Sequence, residues 1–427
     1  MNQKLVRNLV LCGLAVSAWS LQAAAPAPAS ASLEWPGFRG LTNGNAPALP
    51  VSDISRAQIT KVWTTPTDSG FSSFAVAENE AVTIVTKDGN EAVVAFDMRS
   101  GKELWSKQLA AARYDGGGDT GSRTNRGGDG ARSTPTVSGG KVYVIDNTLV
   151  VWCFDAKTGQ EIWKHDVLKE NGGQNIRWEN AASPMIDNGI ILLAGGGPGQ
   201  GLLGLNAETG KEVWKGEDDK MTHATPVLAE LQGVHQCIFF TQSGLVSVNP
   251  QTGKVYWRAA FPYKVSTAAS PVVWEDVVYC SAGYGVGAGA FKIAKSGETF
   301  TATPLWRKEG DSLANHWSTP VVKDGYLYGM FSFKKFGDGP VACMDIRTGE
   351  YKWKQPGFGP GQVILSGDVV IAMSDKGEVV FYKADPAGYH ELKREAIVKG
   401  KVWSYPALAF NHLFVRSTVE GGCWEMK

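Results

Sequence analysis

The residues best suited to bind a ligand stand just ahead of a series of prolines that recur along the chain. They comprise two histidines, one carboxylate, one arginine, one amide and two indoles, a mixture that could hold a small ligand or a peptide. They are Arg132, Glu179, Asn180, His223, His316, Trp317 and Trp403. The alternative is that these side chains serve hydrogen bonding and packing between neighbouring structural units.

No pattern nominates a catalytic residue. The sequence contains no H-E-x-x-H, no G-x-S-x-G and no Ser/His/Asp order, so we predict neither a nucleophile nor a general base. No cysteines form a C-x-x-C pair, and we predict no metal site. Acidic residues in the segment Arg113–Arg132 could bind calcium. The four arginines of that segment oppose a cation, however, and favour a surface loop.

Two glycine-rich segments superficially resemble nucleotide-binding loops. They are Gly195–Gly199 and Gly283–Ala288. Neither opens a helix after a strand, as a phosphate cradle requires, so we predict wide hairpins.

Composition excludes two broad classes of protein. Among 427 residues, Lys+Arg and Asp+Glu both number 42, so no net charge attracts nucleic acid, and we predict no nucleic-acid partner. A hydrophobic content of 43% allows a large core and excludes a mainly disordered chain. The abundance of glycine (51) and tryptophan (15) indicates many turns and many large aromatic contacts.

The N-terminus has the order of a secretory signal peptide. Lys4 and Arg7 precede an apolar run, Leu9–Leu21, and small residues follow. We predict a signal peptide over residues 1–31, cut near Ala29 or Ala31, and hence a periplasmic or otherwise secreted protein. A membrane anchor is the alternative, but the apolar run is shorter than the ~20 residues that span a bilayer. We expect no transmembrane segment in the mature chain.

Loss of Cys12 with the signal peptide leaves an odd number of cysteines. They are Cys153, Cys237, Cys280, Cys343 and Cys423. We predict that they are buried as small apolar residues, and at least one thiol must stay unpaired. Leu11 stands before Cys12 where a lipoprotein has a small residue, which argues against acylation.

A unit of fixed spacing recurs along the chain. An Asp or Asn at position i has Gly at i+4 and Trp at i+8. This pattern starts at Asp97, Asp155, Asn206, Asn249 and Asp345. The first side chain can bond the backbone beyond it and glycine accepts a positive φ, so each unit predicts a tight hairpin. The indole then lies on the second strand, where it can lock one sheet against the next. We assign this structural role to Trp63, Trp105, Trp163, Trp214, Trp257, Trp306 and Trp353.

The recurring prolines give the period of the repeat. A small or hydroxyl residue followed by proline recurs at intervals of about 42 to 49 residues, with one unmarked copy, and each copy holds four short strand-like runs. This period is typical of propeller blades. We predict an all-β, eight-bladed β-propeller of four-stranded antiparallel blades over residues 58–427, after an extension at 32–57. The strand Gln58–Thr65 should complete the last blade. Seven blades with an irregular end are the alternative.

The repeated turn and tryptophan resemble the PQQ-like, or quinoprotein-type, β-propeller repeat with its tryptophan-docking motif. Trp35–Gly40 is also similar to the W-P-x-F-R-G opening of exported proteins in this group. The resemblance implies one of two classes. Quinoprotein dehydrogenases hold pyrroloquinoline quinone and calcium on the propeller axis, whereas the BamB-like group has no cofactor and binds partner proteins. The chain lacks the adjacent cysteine pair and the C-x-x-C-H motif of the enzymes and is shorter, so it resembles the BamB-like group.

These observations predict an exported, non-catalytic binding or scaffold propeller. It would engage a protein partner or small ligand through the loops at one mouth of the channel, as a monomer and without a cofactor. One alternative is a quinoprotein-type dehydrogenase with pyrroloquinoline quinone and calcium. Another is a carbohydrate-binding propeller that stacks sugars on Trp317 and Trp403.

Overall fold

The structure is a computed structural model that describes residues 33–113, 129–331, 335 and 337–427. The predicted signal peptide and most of the Arg113–Arg132 segment lie outside the described residues.

The described residues form short antiparallel strands and almost no helix. One helix, α1, spans Val167–Asn171, and one 3-10 turn spans Asp311–Leu313. The strands, in chain order, are β1 (Ile59–Pro66), β2 (Ala75–Ala77), β3 (Glu80–Lys87), β4 (Asn90–Asp97), β5 (Glu103–Ala111), β6 (Thr136–Ser138), β7 (Lys141–Ile145), β8 (Val150–Asp155), β9 (Glu161–Asp166), β10 (Met185–Asp187), β11 (Ile190–Leu193), β12 (Leu202–Asn206), β13 (Glu212–Gly216), β14 (Val227–Leu231), β15 (Val234–Thr241), β16 (Gly244–Val248), β17 (Val255–Ala260), β18 (Val272–Trp274), β19 (Val277–Ala282), β20 (Gly287–Ser296), β21 (Thr299–Lys308), β22 (Val321–Lys323), β23 (Tyr326–Met330), β24 (Val341–Asp345), β25 (Tyr351–Gln355), β26 (Gln362–Ser366), β27 (Val369–Met373), β28 (Glu378–Lys383), β29 (Glu391–Ala396), β30 (Ala407–Ala409), β31 (His412–Arg416) and β32 (Glu420–Met426).

The strands pair into eight four-stranded sheets, each of which is one blade of a ring. Blades 1 to 7 take four consecutive strands each, from β2–β5 through β26–β29. Blade 8 has the order β1-β32-β31-β30, with Ile59 opposite Met426 and Pro66 opposite Glu420. β2, the first strand of blade 1, contacts β6 of blade 2 on one side and β30 of blade 8 on the other, which closes the ring. The predicted eight-bladed all-β propeller, completed by the N-terminal strand, is therefore confirmed, and the seven-bladed alternative is excluded.

The recurrent hairpin shows why its residues stand at fixed spacing. In blade 2, Asp155 Oδ1 accepts hydrogen bonds from the Thr158 amide (2.9 Å) and hydroxyl (2.8 Å). Gly159 closes the turn with a φ of 66°. Trp105 of blade 1 lies over this glycine so closely that a Cβ on Gly159 would be 2.5 Å from the ring. Its indole donates to the carbonyl of Ala156 at 2.5 Å. The glycine is thus required for both the turn and the indole contact.

The same donation from an outer-strand indole to the next blade recurs around the ring. The other donor and acceptor pairs are Trp63 to Met98, Trp163 to Ala207, Trp214 to Pro250, Trp306 to Ile346 and Trp353 to Asp385. Trp257 differs, because it donates to Gln236 Oε1 within its own blade at 2.8 Å. The next hairpin, between β20 and β21, lacks the Asp/Asn-to-Gly unit that would receive it.

Hydroxyl residues just ahead of the first strands link the blades to one another, between successive blades in every case except the bond from Thr319 of blade 6 to Tyr405 of blade 8. In each case a backbone amide of one blade donates to a side-chain oxygen of another, and all these groups are buried. The bonds run from Ser73 to Thr134 (3.0 Å), Thr134 to Ser183 (2.9 Å), Ser183 to Thr225 (2.9 Å), Ser270 to Thr319 (2.9 Å), Thr319 to Tyr405 (2.7 Å) and Tyr405 to Ser73 (2.8 Å). The hydroxyl residue of the repeat thus satisfies an amide that neither strand pairing nor water reaches.

The extension ahead of β1 lies across the central channel. Trp35 forms a bridge with Val76 of β2 in blade 1, whereas Asn45 pairs with Leu365 of β26 in blade 7. Between these two points, Arg39 bonds the carbonyls of Thr319 and Pro320 in blade 6. Contacts with first strands on several sides of the ring require this segment to cross the axis.

The five cysteines of the described chain are all buried, as predicted, and none of them is in a disulfide. Among the described residues, no helix has the length and apolar character needed to cross a membrane.

Candidate functional site

The residues predicted from the proline pattern lie at one end of the channel, which we call the mouth. At this end the fourth strand of each blade leads to the first strand of the next. Because every first strand starts here, the residues just ahead of it share this rim. The segments concerned precede β6, β10, β14, β22 and β30.

Aromatic rings form a continuous arc at the mouth. The arc consists of Phe71, Trp403, Trp317, His316, Tyr284, Trp178 and His223, in this spatial order. Successive ring centroids are separated by 4.8, 4.7, 4.9, 5.3, 6.4 and 6.5 Å. Such spacing is that of attractive aromatic pairs. We call this set the aromatic arc.

The aromatic arc combines buried and accessible rings. Phe71, His223 and His316 are buried, with exposures of 9%, 5% and 7%. Trp178, Tyr284, Trp317 and Trp403 keep part of their surface open. The buried rings thus support the accessible ones, which together offer an apolar surface at a polar rim.

Cationic side chains contact two rings of the aromatic arc, each next to one end of it. The Arg177 guanidinium is 4.7 Å from the Trp178 ring centroid, and Lys401 Nζ is 4.9 Å from that of Trp403. Arg132 Nη1 donates to the carbonyl of Trp178 at 2.8 Å. Of these three cations Arg177 is exposed, whereas Lys401 is buried at 8% exposure, so open positive charge lies beside Trp178.

The backbone beneath Trp178 is held in an unusual conformation. Trp178 and Glu179 have φ values of 68° and 57°, in the left-handed region that side chains disfavour. Glu179 accepts a hydrogen bond from Asn175 Nδ2 at 2.6 Å. The buried Asn180 bonds the carbonyls of Asp146 and Ala182, so its side chain supports the loop and does not reach the open surface. These bonds hold a strained turn that presents the indole of Trp178.

His223 is a neutral imidazole that supports the aromatic arc from within. Its Nε2 donates to the carbonyl of Arg177 (3.0 Å), and its Nδ1 accepts from the Ser266 hydroxyl (2.9 Å), which sets the tautomer. Burial, and then the charge of Arg132, lower the pKa of His223 to about 4. The ring is therefore uncharged at neutral pH.

Acid should weaken the fold through His223. The unfolded chain binds a proton near the ordinary pKa of 6.5, so this contribution to stability is complete above that pH and is lost as pH falls toward 4. When the pH falls from 7 to 4.5, the wild type should lose about 2 kcal/mol more unfolding free energy than His223→Gln. Urea unfolding at both pH values measures this difference. The exposed His390→Gln is the control, and equal pH dependence in wild type and His223→Gln would contradict the prediction.

Sequence reasoning missed three members of the aromatic arc. Phe71 occupies the corresponding place before β2, but no proline marks that copy. Trp178 directly precedes the predicted Glu179, but its ring contacts with Tyr284 and His223 are visible only in the structure. Tyr284 lies in the Gly283–Ala288 segment, which links β19 to β20 as a turn within blade 5. Its place on the turn was predictable, whereas its contact with His316 was not.

The residues present do not fit an axial quinone with calcium. Behind the mouth the axis is occupied by Tyr405, on which Phe38 packs at 5.1 Å and over which Arg39 lies at 5.2 Å. Over the part of the chain that the structure describes, no three His, Cys, Asp or Glu side chains form a group able to hold a metal ion. The five buried cysteines lie in separate blades, on β8, β15, β19, β24 and β32.

A ring of eight blades, joined by indoles that rest on turn glycines and carrying an aromatic mouth, defines a PQQ-like repeat propeller. The family model described as outer membrane protein assembly factor BamB matches residues 51–199 and 89–355. The chain therefore belongs to this family.

Individual relatives support the same family. The chain is 24% identical over 395 residues to the outer membrane protein assembly factor BamB of Burkholderia pseudomallei, covering 88% of each chain. It is also 28% identical over 178 residues to the quinohemoprotein alcohol dehydrogenase ADH-IIG of Pseudomonas putida. That match covers 40% of this chain but only 23% of the enzyme.

Solved structures agree on the fold. BamB from Moraxella catarrhalis superposes with a TM-score of 0.61 at 14% identity, over 86% of this chain and 100% of that chain. The quinohemoprotein alcohol dehydrogenase from Comamonas testosteroni gives 0.64 at 14% identity, over 92% and 80%. At this identity the likeness concerns the fold alone.

Proposed function

We propose that this protein is an exported, non-catalytic propeller that binds a protein partner in the assembly of the outer membrane. The aromatic arc is the observation that carries the proposal. It offers four partly open rings held by buried neighbours, and large rigid rings of this kind dominate the energetics of protein interfaces. The relatives named as outer membrane protein assembly factors supply the process in which the partner acts.

Two further observations support binding rather than catalysis. His223, a member of the aromatic arc, is neutral and has both ring nitrogens engaged by the protein, so it is not poised as an acid or base. Behind the mouth, Phe38 and Arg39 of the segment that crosses the channel pack on Tyr405, which supports a propeller without an axial quinone. We therefore propose that no cofactor is required.

A photo-cross-linking residue at Tyr284, in living cells, tests this function. We expect it to capture a component of outer-membrane assembly, and we expect the same probe at the exposed Leu104 on the outer rim to capture none. Replacing both Trp317 and Trp403 by alanine should reduce capture about tenfold or more, because two central rings are lost. The thermal transition of the double variant checks that the ring remains folded.

One outcome would contradict the proposed site, and two others would favour an alternative function. Cross-linking at Tyr284 that is unchanged by loss of both indoles would remove the aromatic arc as the site. Tight uptake of pyrroloquinoline quinone and calcium with dye reduction would establish the dehydrogenase alternative. Glycan binding that disappears in Trp403→Ala would establish the carbohydrate alternative, for which the partly open Trp317 and Trp403 pair is the supporting observation.

A further inference from the structure

We propose that the central channel is itself a peptide-binding site, which residues 33–47 occupy as an intramolecular ligand. We call residues 33–47 the channel segment. This inference is independent of the aromatic arc and of the proposed function. The ligand class is a peptide with an aromatic residue, an arginine and a glycine turn, in that order.

The first strands of the blades provide the edges to which such a peptide pairs. Within its blade, β2 pairs with β3 alone and β26 with β27 alone, so each has one edge toward the channel. The channel segment adds to both edges. Trp35 and Val76 exchange two backbone hydrogen bonds, at 2.8 and 2.7 Å. Leu365 donates to Gly44 at 2.8 Å and accepts from Ala46 at 2.6 Å. Each contact is a single β-bridge, which uses the backbone pairing by which peptides add to sheet edges.

Other blades bind the channel segment by single hydrogen bonds. The Val137 amide of blade 2 donates to the Pro36 carbonyl at 2.7 Å. Asn43 Nδ2 donates to the Leu228 carbonyl of blade 4 at 3.0 Å. The Phe410 amide of blade 8 donates to the carbonyl of Leu33 at 2.9 Å. With blades 1, 6 and 7, six blades thus contact one short peptide.

Arg39 anchors the channel segment on the axis. Its side chain is buried at 3% exposure and donates to the carbonyls of Thr319 (2.7 Å), Pro320 (3.0 Å) and Asn43 (2.7 Å). Its guanidinium also lies 5.2 Å from the ring centroid of Tyr405. Backbone carbonyls and an aromatic face recognise a planar guanidinium with several donors better than they recognise other side chains. The channel therefore selects arginine at this position.

Glycine fixes the shape of the peptide that fits. Gly40 has a φ of 66°, and a Cβ there would lie 2.8 Å from the Trp35 ring. Gly44 has a φ of 98°, and a Cβ there would lie 2.6 Å from the Arg39 guanidinium. The segment thus folds back on itself, with Trp35 buried at 1% exposure. These contacts lie within the peptide, so a free peptide of the same sequence can form them as it binds.

The experiment separates the channel segment from the ring in the full chain. A protease recognition sequence is inserted between the exposed residues Ser52 and Asp53, and the folded protein is cleaved there. A fluorescent synthetic peptide of residues 33–47 is then added in excess, and its exchange into the ring is followed by anisotropy. We expect saturable uptake at one peptide per ring, and a peptide with Arg39→Ala should bind about tenfold more weakly or worse. The uncleaved full chain carrying Arg39→Ala should also take up the wild-type peptide faster than the uncleaved wild type.

Each other outcome overturns the proposal. If cleavage unfolds the propeller, as judged by its circular dichroism, the channel segment is an integral part of the fold. If the cleaved fragment is never exchanged by excess peptide while the ring stays folded, the same conclusion holds. Equal binding of the wild-type and Arg39→Ala peptides would show that the channel does not recognise the sequence. Uptake only by dimers, seen by light scattering, would show exchange of segments between copies and not a site for a free peptide.

Discussion

Trp105→Ala should lower the free energy of unfolding by about 3 to 5 kcal/mol, because it removes a buried ring that joins two blades. Trp105 is 7% exposed, rests on Gly159 of the next blade and donates its indole N–H to Ala156. The alanine variant would leave a cavity at this junction together with an unpaired carbonyl. Urea unfolding followed by far-ultraviolet circular dichroism measures the change without relying on tryptophan emission.

Two matched comparisons isolate the contact of Trp105 with the next blade. Leu104 lies beside Trp105 on the same strand and is 46% exposed, so Leu104→Ala should cost less than about 0.5 kcal/mol. Gly159 and Gly139 both have positive φ, 66° and 58°, but a Cβ at Gly139 would meet open space. Gly159→Ala should therefore be clearly more destabilising than Gly139→Ala. Equal effects of the two glycine variants would argue against indole packing as the cause.

Arg416→Met should destabilise the propeller by about 3 kcal/mol or more at the junction between blade 8 and blade 1. Arg416 is 1% exposed, and its guanidinium donates to the carbonyls of Ser69 (3.1 Å), Asp68 (3.3 Å) and Ile84. Burial lowers the pKa of this arginine to about 9, against the opposing charges of Asp68 and Glu91. Methionine restores much of the volume but leaves several buried carbonyls without a donor, each costing about 1 to 3 kcal/mol.

Arg347 supplies the control for Arg416. It also connects two blades, through Glu275 at 3.2 Å, but it lies on the surface with a side chain 48% exposed. Arg347→Met should cost less than about 1 kcal/mol, as is usual for exposed ion pairs. The midpoint of urea unfolding compares both variants. If the two cost the same, the buried carbonyls of blade 1 do not depend on Arg416.

Local sequence was sufficient to predict the ring because most blades repeat the same short pattern of turn residues and tryptophan. Asp155 and Gly159 fix a turn within five residues, and the tryptophan after each turn lies on an outer strand beside the next blade. The assignment of β1 to the last blade followed because the last repeat holds too few strands for a four-stranded sheet. Trp257 shows the limit, since its partner depends on the following hairpin, where the unit is missing.

The candidate site was less predictable, because its members meet only through the closure of the ring. Trp317 and Trp403 are neighbours at 4.7 Å although blade 7 separates them in the chain. Their types and their place before prolines indicated the mouth, but no local pattern indicates which rim residues touch. The role of Arg39 was also hidden, since two of its carbonyl partners, Thr319 and Pro320, lie some 280 residues away in sequence.

The pairing of β1 with β32 also governs the order in which the molecule can be completed. Ile59 pairs with Met426, more than 360 positions later in the sequence, so the eighth sheet can form only after β32 has been synthesised. Closing so long a loop costs entropy that no local contact repays in advance, and such topologies fold slowly. Of the described strands, β1 is thus the first to be synthesised and among the last to be paired. Without β32 the eighth sheet lacks the strand between β1 and β31, so the ring cannot close around its axis.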